Sequence, residues 1–277
     1  MAAASRSITA RTALCGVLLH PAGHTRSPAM HAAAYAALGI DAVYLAFDVP
    51  PEQLADALRG ARALGMRQLA ISLPHKQAAL EHVDELDETA RRIGALNTVT
   101  RVGEKLLGSN TDWLGAVRAL ESERRLDGAR AVVLGAGGTA RAVVFGLLER
   151  GARVHVLNRS PERAERLAQE LGAHGSGELS ELARTPHDVL VNTTSVGLRE
   201  DVSPVAASAL RAESIVMDAV YDPLRTRLLR DAEACGARTI SGKWMLIHQA
   251  AEQFRLFTGR EAPLSALAAG FDAAAGG

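Results

Sequence analysis

Apolar positions along this chain follow two rhythms that trade places. Short, nearly unbroken apolar runs at 13–19, 42–48, 68–73, 131–134, 153–157, 189–191 and 215–219 have the length of buried strands. Between them, 29–38, 51–64, 141–150 and 161–171 read as helices, and over 245–258 the apolar residues Leu246, Ala250, Phe254 and Phe257 recur at helical spacing. Strands alternating with helices predict an α/β fold. There is no internal repeat, and only the alanine- and glycine-rich C-terminal end reads as disordered.

One stretch combines these elements into a recognisable unit. Ala131-Val132-Val133-Leu134 runs into Gly135-Ala136-Gly137-Gly138-Thr139-Ala140, which opens a helix, and after Gly151 a second strand leads to Asn158-Arg159-Ser160. A pyrophosphate must approach the backbone where Cβ atoms would obstruct it, and the amides at a helix N-terminus face its charge, so glycines in this context read as a dinucleotide site. The end of the second strand then selects the cofactor. A carboxylate there would bind a ribose 2′-hydroxyl, whereas this chain offers Asn158, Arg159 and Ser160, with Arg163 a turn later. A guanidinium pairs with phosphate through two hydrogen bonds, and the expected cofactor is NADP.

Composition narrows the remaining possibilities. The 277 residues allow one large or two modest domains. Lys+Arg and Asp+Glu both number 31 and no basic run stands out, which argues against nucleic acid as a partner. No apolar stretch approaches a membrane span. Cys15 and Cys235 lie far apart among apolar residues and glycine, which suits buried thiols in a reducing compartment, and neither disulfide nor metal is expected. Residues 1–12 read as a frayed tail without a cleavage pattern, and the cytoplasm is the expected location. No isolated apolar stripe fixes the oligomeric state, leaving a monomer or a homodimer.

The loops carry further candidates. In the loop 20–28, Ser27 reads first as a helix N-cap with Pro28 at the first helical position. At the end of the 68–73 strand, Pro74 halts the run and places Lys76 near the carboxyl edge of a sheet, where ligands of α/β proteins bind. Two polar loops follow, one around Asn97 and one ending at Asp112; if they converge, Asp112 becomes a carboxylate partner for Lys76.

The segments HTRSP (24–28), AISLPHK (70–76), GALNT (94–98), GSNTD (108–112), GAGGTARA (135–142), NRS (158–160), NTTSVG (192–197), DAVYDP (218–223) and GKWMLIHQA (242–250) occur in the order found in shikimate dehydrogenases, which the chain resembles along almost its whole length. The resemblance implies an N-terminal α/β substrate domain, residues 1–112, completed by C-terminal helices 245–277. It further implies a Rossmann-like NADP-binding domain, residues 113–244, with the active site in the cleft between them. It implies reversible NADPH-dependent reduction of 3-dehydroshikimate to shikimate in aromatic amino-acid biosynthesis. Lys76 and Asp112 match the catalytic pair. Thr25 and Ser27 match hydroxyls that hold the substrate carboxylate, and Ser72, Asn97 and Gln249 match contacts to ring substituents. Tyr221 matches a pocket tyrosine, and Gly242 and Met245 match positions beside the nicotinamide. Thr194 and Ser195 read equally as turn residues or as contacts.

Three departures from the family pattern bear on the substrate. Thr25 replaces a serine but keeps its hydroxyl. Ala70 stands where an asparagine amide is usual, so the site is expected to bind shikimate less well or to prefer another substituent. Trp244 brings a large ring to a glycine position and is expected to reshape the pocket. The alternatives are a paralogue acting on quinate, an aminated shikimate or another cyclic hydroxy acid, or a catalytically weak metabolite-binding protein.

Overall fold

The structure, a computed structural model, describes residues 8–23 and 25–274. His24 of the HTRSP segment, most of the expected N-terminal tail and the last three residues lie outside that range.

Two six-stranded sheets carry the chain. The first opens with β1 (Ala13–Leu19), α1 (Ser27–Ala37), β2 (Ala42–Asp48), α2 (Leu54–Ala63) and β3 (Gln68–Ile71). It continues with β4 (Glu85–Leu86), α3 (Glu88–Ile93), β5 (Thr98–Val102) and β6 (Lys105–Ser109). Its order is β2-β1-β3-β5-β6-β4, parallel on the β1 side and antiparallel at the β3–β5 and β5–β6 pairs. After α4 (Asp112–Glu121), the second sheet is built from β7 (Arg130–Leu134), α5 (Gly138–Glu149), β8 (Arg153–Asn158), α6 (Pro161–Leu171), β9 (Gly175–Glu178), β10 (Val189–Asn192), β11 (Ile215–Asp218), α7 (Arg227–Cys235) and β12 (Arg238–Ile240). Every pair in it is parallel and the order is β12-β11-β10-β7-β8-β9, the doubly wound arrangement whose strand order reverses between β7 and β10.

Burial explains the unbroken apolar runs. On one face of the second sheet, Ala131, Val133, Val154, Val156 and Val191 meet α4, α5 and α6; on the other, Val132, Leu134, Leu190 and Val216 meet Leu228 and Leu229 of α7. A strand covered on both sides has no polar face to show. The chain ends with α8 (Gly242–Thr258) and α9 (Leu264–Ala273). Ile247, Ala250 and Phe254 of α8 and Leu267 and Phe271 of α9 join the core of the first sheet with Met30 and Tyr35 of α1, while Met245 joins that of the second.

Some expectations shift. The helix expected from residue 29 begins at Ser27, its N-cap is Arg26 and no side chain caps it, so the N-cap reading of Ser27 is corrected: its hydroxyl instead accepts from Thr25 Oγ1 at 3.3 Å. The stretch 51–64 splits into a short 3₁₀ turn and α2. Cys15 is buried, as expected, whereas Cys235 is only half-buried, and both are free thiols. Among the described residues no helix is long and apolar enough to cross a membrane, and no group of His, Cys, Asp or Glu could hold a metal ion.

Candidate active site

A cleft of about 950 Å³, counting its open mouth, runs between the carboxyl edges of the two sheets. It is bordered by Thr25, Ser27, Ser72, Lys76, Asn97, Asp112, Tyr221 and Gln249, drawn from segments more than two hundred residues apart in sequence. Thr139, Thr194, Gly242 and Met245 border it from the nucleotide side.

At its centre is a buried ion pair. The turn after β3 carries Lys76, tied down where its carbonyl accepts from Leu96 N at 2.9 Å; Asp112 opens α4, where a carboxylate is favoured by the helix dipole. Lys76 Nζ donates to Asp112 Oδ2 at 2.5 Å and to Thr139 Oγ1 at 3.2 Å. The other carboxylate oxygen, Oδ1, accepts from Asn97 Nδ2 at 2.8 Å. Asn97 is itself fixed: its Nδ2 also faces Thr111 Oγ1 and Gln249 Oε1, and its Oδ1 accepts from Thr111 N and Thr98 Oγ1, both at 2.8 Å. The two polar loops thus converge, and little of the pair's orientation is left to solvent.

Across the cleft, Tyr221 follows β11. Burial pushes its phenol up to about 12, a side-chain hydrogen bond with Thr25 opposing, so it is a neutral hydroxyl at neutral pH. The loops after β10 and β11 are held by a carboxylate that sequence reading assigned no role. Asp218 accepts from Asn192 Nδ2 at 2.9 Å, Thr226 Oγ1 at 2.7 Å and Val220 N at 3.0 Å, and burial raises it to about 6 despite those three donors. Thr194 bonds Asn192 Oδ1 through both its amide and its hydroxyl, so its turn role is realised while it borders the cleft.

The glycine turn lies at the point where the strand order reverses. Gly137 caps α5 with no side-chain bond to the free amides, and a Cβ built on it would meet nothing within 4 Å. Gly138 is the opposite case: a Cβ there would stand 2.9 Å from Lys76 Cβ, so only glycine lets α5 come against the lysine. Gly135 holds φ +111 beside Thr193, and Ala140 is buried in the core, leaving only its amide to the helix end. Gly135 N donates to Leu157 O at 2.8 Å, which brings the turn beside the end of β8. Asn158 Nδ2 donates to Ser160 O at 3.1 Å. Arg159 and Arg163 are exposed and make no ion pair among the described residues. Gly135, Gly137, Gly138, Ala140, Asn158, Arg159, Ser160 and Arg163 are not among the residues bordering the cleft; they form a ledge along the ends of β7 and β8 that adjoins it at Thr139. An uncapped helix end, an open Gly137 and unpaired guanidinium groups, with no carboxylate at the end of β8, fit a phosphorylated dinucleotide.

Two departures resolve differently. Ala70 borders the cleft, but Trp244 does not: it is 46% exposed and lines a separate groove with His248 and Arg225, so the expectation that it reshapes the pocket is corrected. Gln253, buried and bordering the cleft, escaped sequence reading; the only available signal was its place one turn beyond Gln249.

Three family models match the chain: the shikimate dehydrogenase substrate binding domain at 17–99, shikimate / quinate 5-dehydrogenase at 117–202, and the shikimate 5′-dehydrogenase C-terminal domain at 242–268. The shikimate dehydrogenase (NADP(+)) of Thermococcus kodakarensis is 47% identical, covering 90% of this chain and 92% of that one. Among solved structures, shikimate 5-dehydrogenase from Thermus thermophilus, in complex with NADP(H) and shikimate, is 42% identical with a TM-score of 0.89 over 95% of this chain and 99% of that one. The ligand-free 5-ketofructose reductase of a Gluconobacter species is 35% identical with a TM-score of 0.85, covering 96% and 100%. With near-complete coverage at such identity, and most of the motifs meeting in one cleft, the chain belongs to the shikimate dehydrogenase family.

Proposed function

We propose that this chain catalyses the reversible, NADP-dependent reduction of 3-dehydroshikimate to shikimate. The observation that carries the reading is the buried Lys76–Asp112 pair, set between the hydroxyls of Thr25 and Ser27 and an uncapped helix N-terminus. Gly135, Gly137, Gly138, Thr139 and Ala140 would hold the pyrophosphate of NADPH, and Asn158, Arg159, Ser160 and Arg163 its 2′-phosphate; the bound cofactor would supply the hydride for the carbonyl carbon. Thr194, Gly242 and Met245 would lie beside its nicotinamide. Thr25, Ser27 and Tyr221 offer hydroxyls to the substrate carboxylate. Ser72, Asn97 and Gln249 orient the ring hydroxyls. Lys76 faces the carbonyl oxygen, stabilises the charge that develops there and delivers a proton; in the oxidative direction it takes that proton back. Asp112 holds the ammonium in place.

In this reading residues 1–112 and 245–277 form the substrate domain and 113–244 the nucleotide domain. The enzyme works in the cytoplasm on a small carboxylate substrate, as a monomer or homodimer. Ala70 on the cleft wall favours a second reading, a paralogue acting on quinate, an aminated shikimate or another cyclic hydroxy acid. Turnover over a panel of such acids, followed by NADPH absorbance with NADP and NAD, separates them. Shikimate with NADP is expected to give the highest kcat/KM, and a panel with no turnover would sink the enzyme reading.

A further inference from the structure

The wall of the cleft beneath the Asn97 loop is a polar seam between β3, β5 and α8. Gln253, 2% exposed, reaches into it from the helix: Nε2 donates to Asn97 O at 3.1 Å and to Thr98 Oγ1 at 3.0 Å. Its main-chain carbonyl accepts from Gln68 Nε2 at 2.9 Å, which pins that turn of α8 to the sheet. Thr98 stands in register with Ala70 on the antiparallel β3–β5 ladder. Directly opposed residues of such a pair share one face, with Cβ atoms about 5 Å apart. Ala70 packs against the core to which α8 contributes and borders the cleft, as does Gln253. The small methyl at position 70 therefore leaves open the space above Thr98 that the Gln253 carboxamide uses. A longer side chain with its own amide at position 70 would meet that carboxamide over the same hydroxyl. The Gln253 side chain also acts on His31, a fully buried ring stacked on Tyr44 at 4.2 Å, opposing the fall in its pKa.

We propose that Gln253 is a specificity-determining residue of the cleft: its carboxamide, accommodated by the small Ala70, fixes Asn97 and Thr98 and takes the place of an amide at position 70. This rests on the function proposed above and specifies how that site reads the substrate's ring substituents. It also reverses the simplest expectation for Ala70, since asparagine introduced there alone competes with Gln253 rather than filling a gap.

The test is a double-mutant cycle of Ala70→Asn, Gln253→Ala and the two combined. Each protein is assayed for kcat and KM toward shikimate at saturating NADP, for NADP affinity, and for thermal midpoint without substrate. Gln253→Ala is expected to raise the KM for shikimate about 10-fold, with a smaller change in kcat and unchanged NADP affinity, the scale of one or two lost buried hydrogen bonds. Ala70→Asn is expected to lose a similar amount, and the double variant to return to within about 3-fold of the wild type, the non-additivity of neighbours in one network. Losses that multiply in the double variant, or an unchanged KM in Gln253→Ala, overturn the proposal. So does a parallel loss of NADP affinity, which would mark a merely structural role. If the wild type leaves shikimate untouched, the proposed function fails. The pairing is then decided by the thermal midpoints: a double variant more stable than the sum of its singles supports it, and additive midpoints overturn it.

Discussion

At position 76 the proposed chemistry rests on a single ammonium, and its neighbours decide what can be read from its loss. Lys76→Ala leaves Asp112 bonded to Asn97, so the cleft is expected to persist while kcat falls by roughly 10² to 10⁴ with NADP affinity retained. Steady-state kinetics with a separate NADP titration check this. If Lys76 itself moves the proton, the variant also loses one limb of the wild-type kcat–pH profile; a purely electrostatic role leaves the profile's shape intact. Arg159 offers a second test, because its guanidinium is exposed and without an ion pair among the described residues. Arg159→Asp replaces attraction for a 2′-phosphate with repulsion and is expected to weaken NADP by 10-fold or more, about 1.4 kcal/mol, and to shift preference toward NAD. Unchanged NADP affinity would remove the 2′-phosphate site from the ledge. Lys76, Asp112 and Arg159 were legible in the sequence because each lies in a polar loop that follows an apolar run. Gln253 was not: in a helix read as core, a glutamine looks like a tolerated polar residue until the neighbouring strand shows what it bonds.

The element on which the cleft depends most closely is the first turn of α5. Its backbone approaches the side chain of Lys76 so nearly that Gly138→Ala would force a Cβ to within 2.9 Å of another Cβ, which has no flexible end to yield. Overpacking of this kind costs about 1–3 kcal/mol. The expected result is a lowered thermal midpoint together with weaker NADP binding and lower kcat, since helix end and lysine are displaced together. A variant with wild-type values on all three would refute this account of the turn. Elements buried on both faces, such as β7, β8 and β10, announce themselves as apolar runs. β9 does not: Gly175-Ser176-Gly177-Glu178 has no apolar pattern and is a strand only because β8 offers it a parallel edge. β4, two residues long, owes its existence to β6 in the same way. The antiparallel β3–β5 and β5–β6 pairs were likewise hidden, because direction is a property of the partner and not of the run.

Across the whole molecule, acid should act through a residue remote from the ledge. Burial depresses His31 from its ordinary value to about 4, with the Gln253 side chain opposing. The unfolded chain binds a proton there near pH 6.5 while the folded one does not. Its contribution is therefore constant above about pH 6.5 and turns destabilising as pH falls toward 4, reaching about 3 kcal/mol. His31→Phe is expected to flatten that part of the stability profile, measured by urea unfolding at neutral pH and near pH 4.5; equal slopes in both proteins would refute the assignment. The core around His31 has one more property. Its strands and α1 precede the second sheet in sequence, whereas α8 and α9, which supply Ile247, Phe254, Leu267 and Phe271, follow it. The second sheet closes on residues contiguous in sequence. During synthesis, then, the half that leaves the ribosome first must wait for the tail, and the half translated second has the means to fold first.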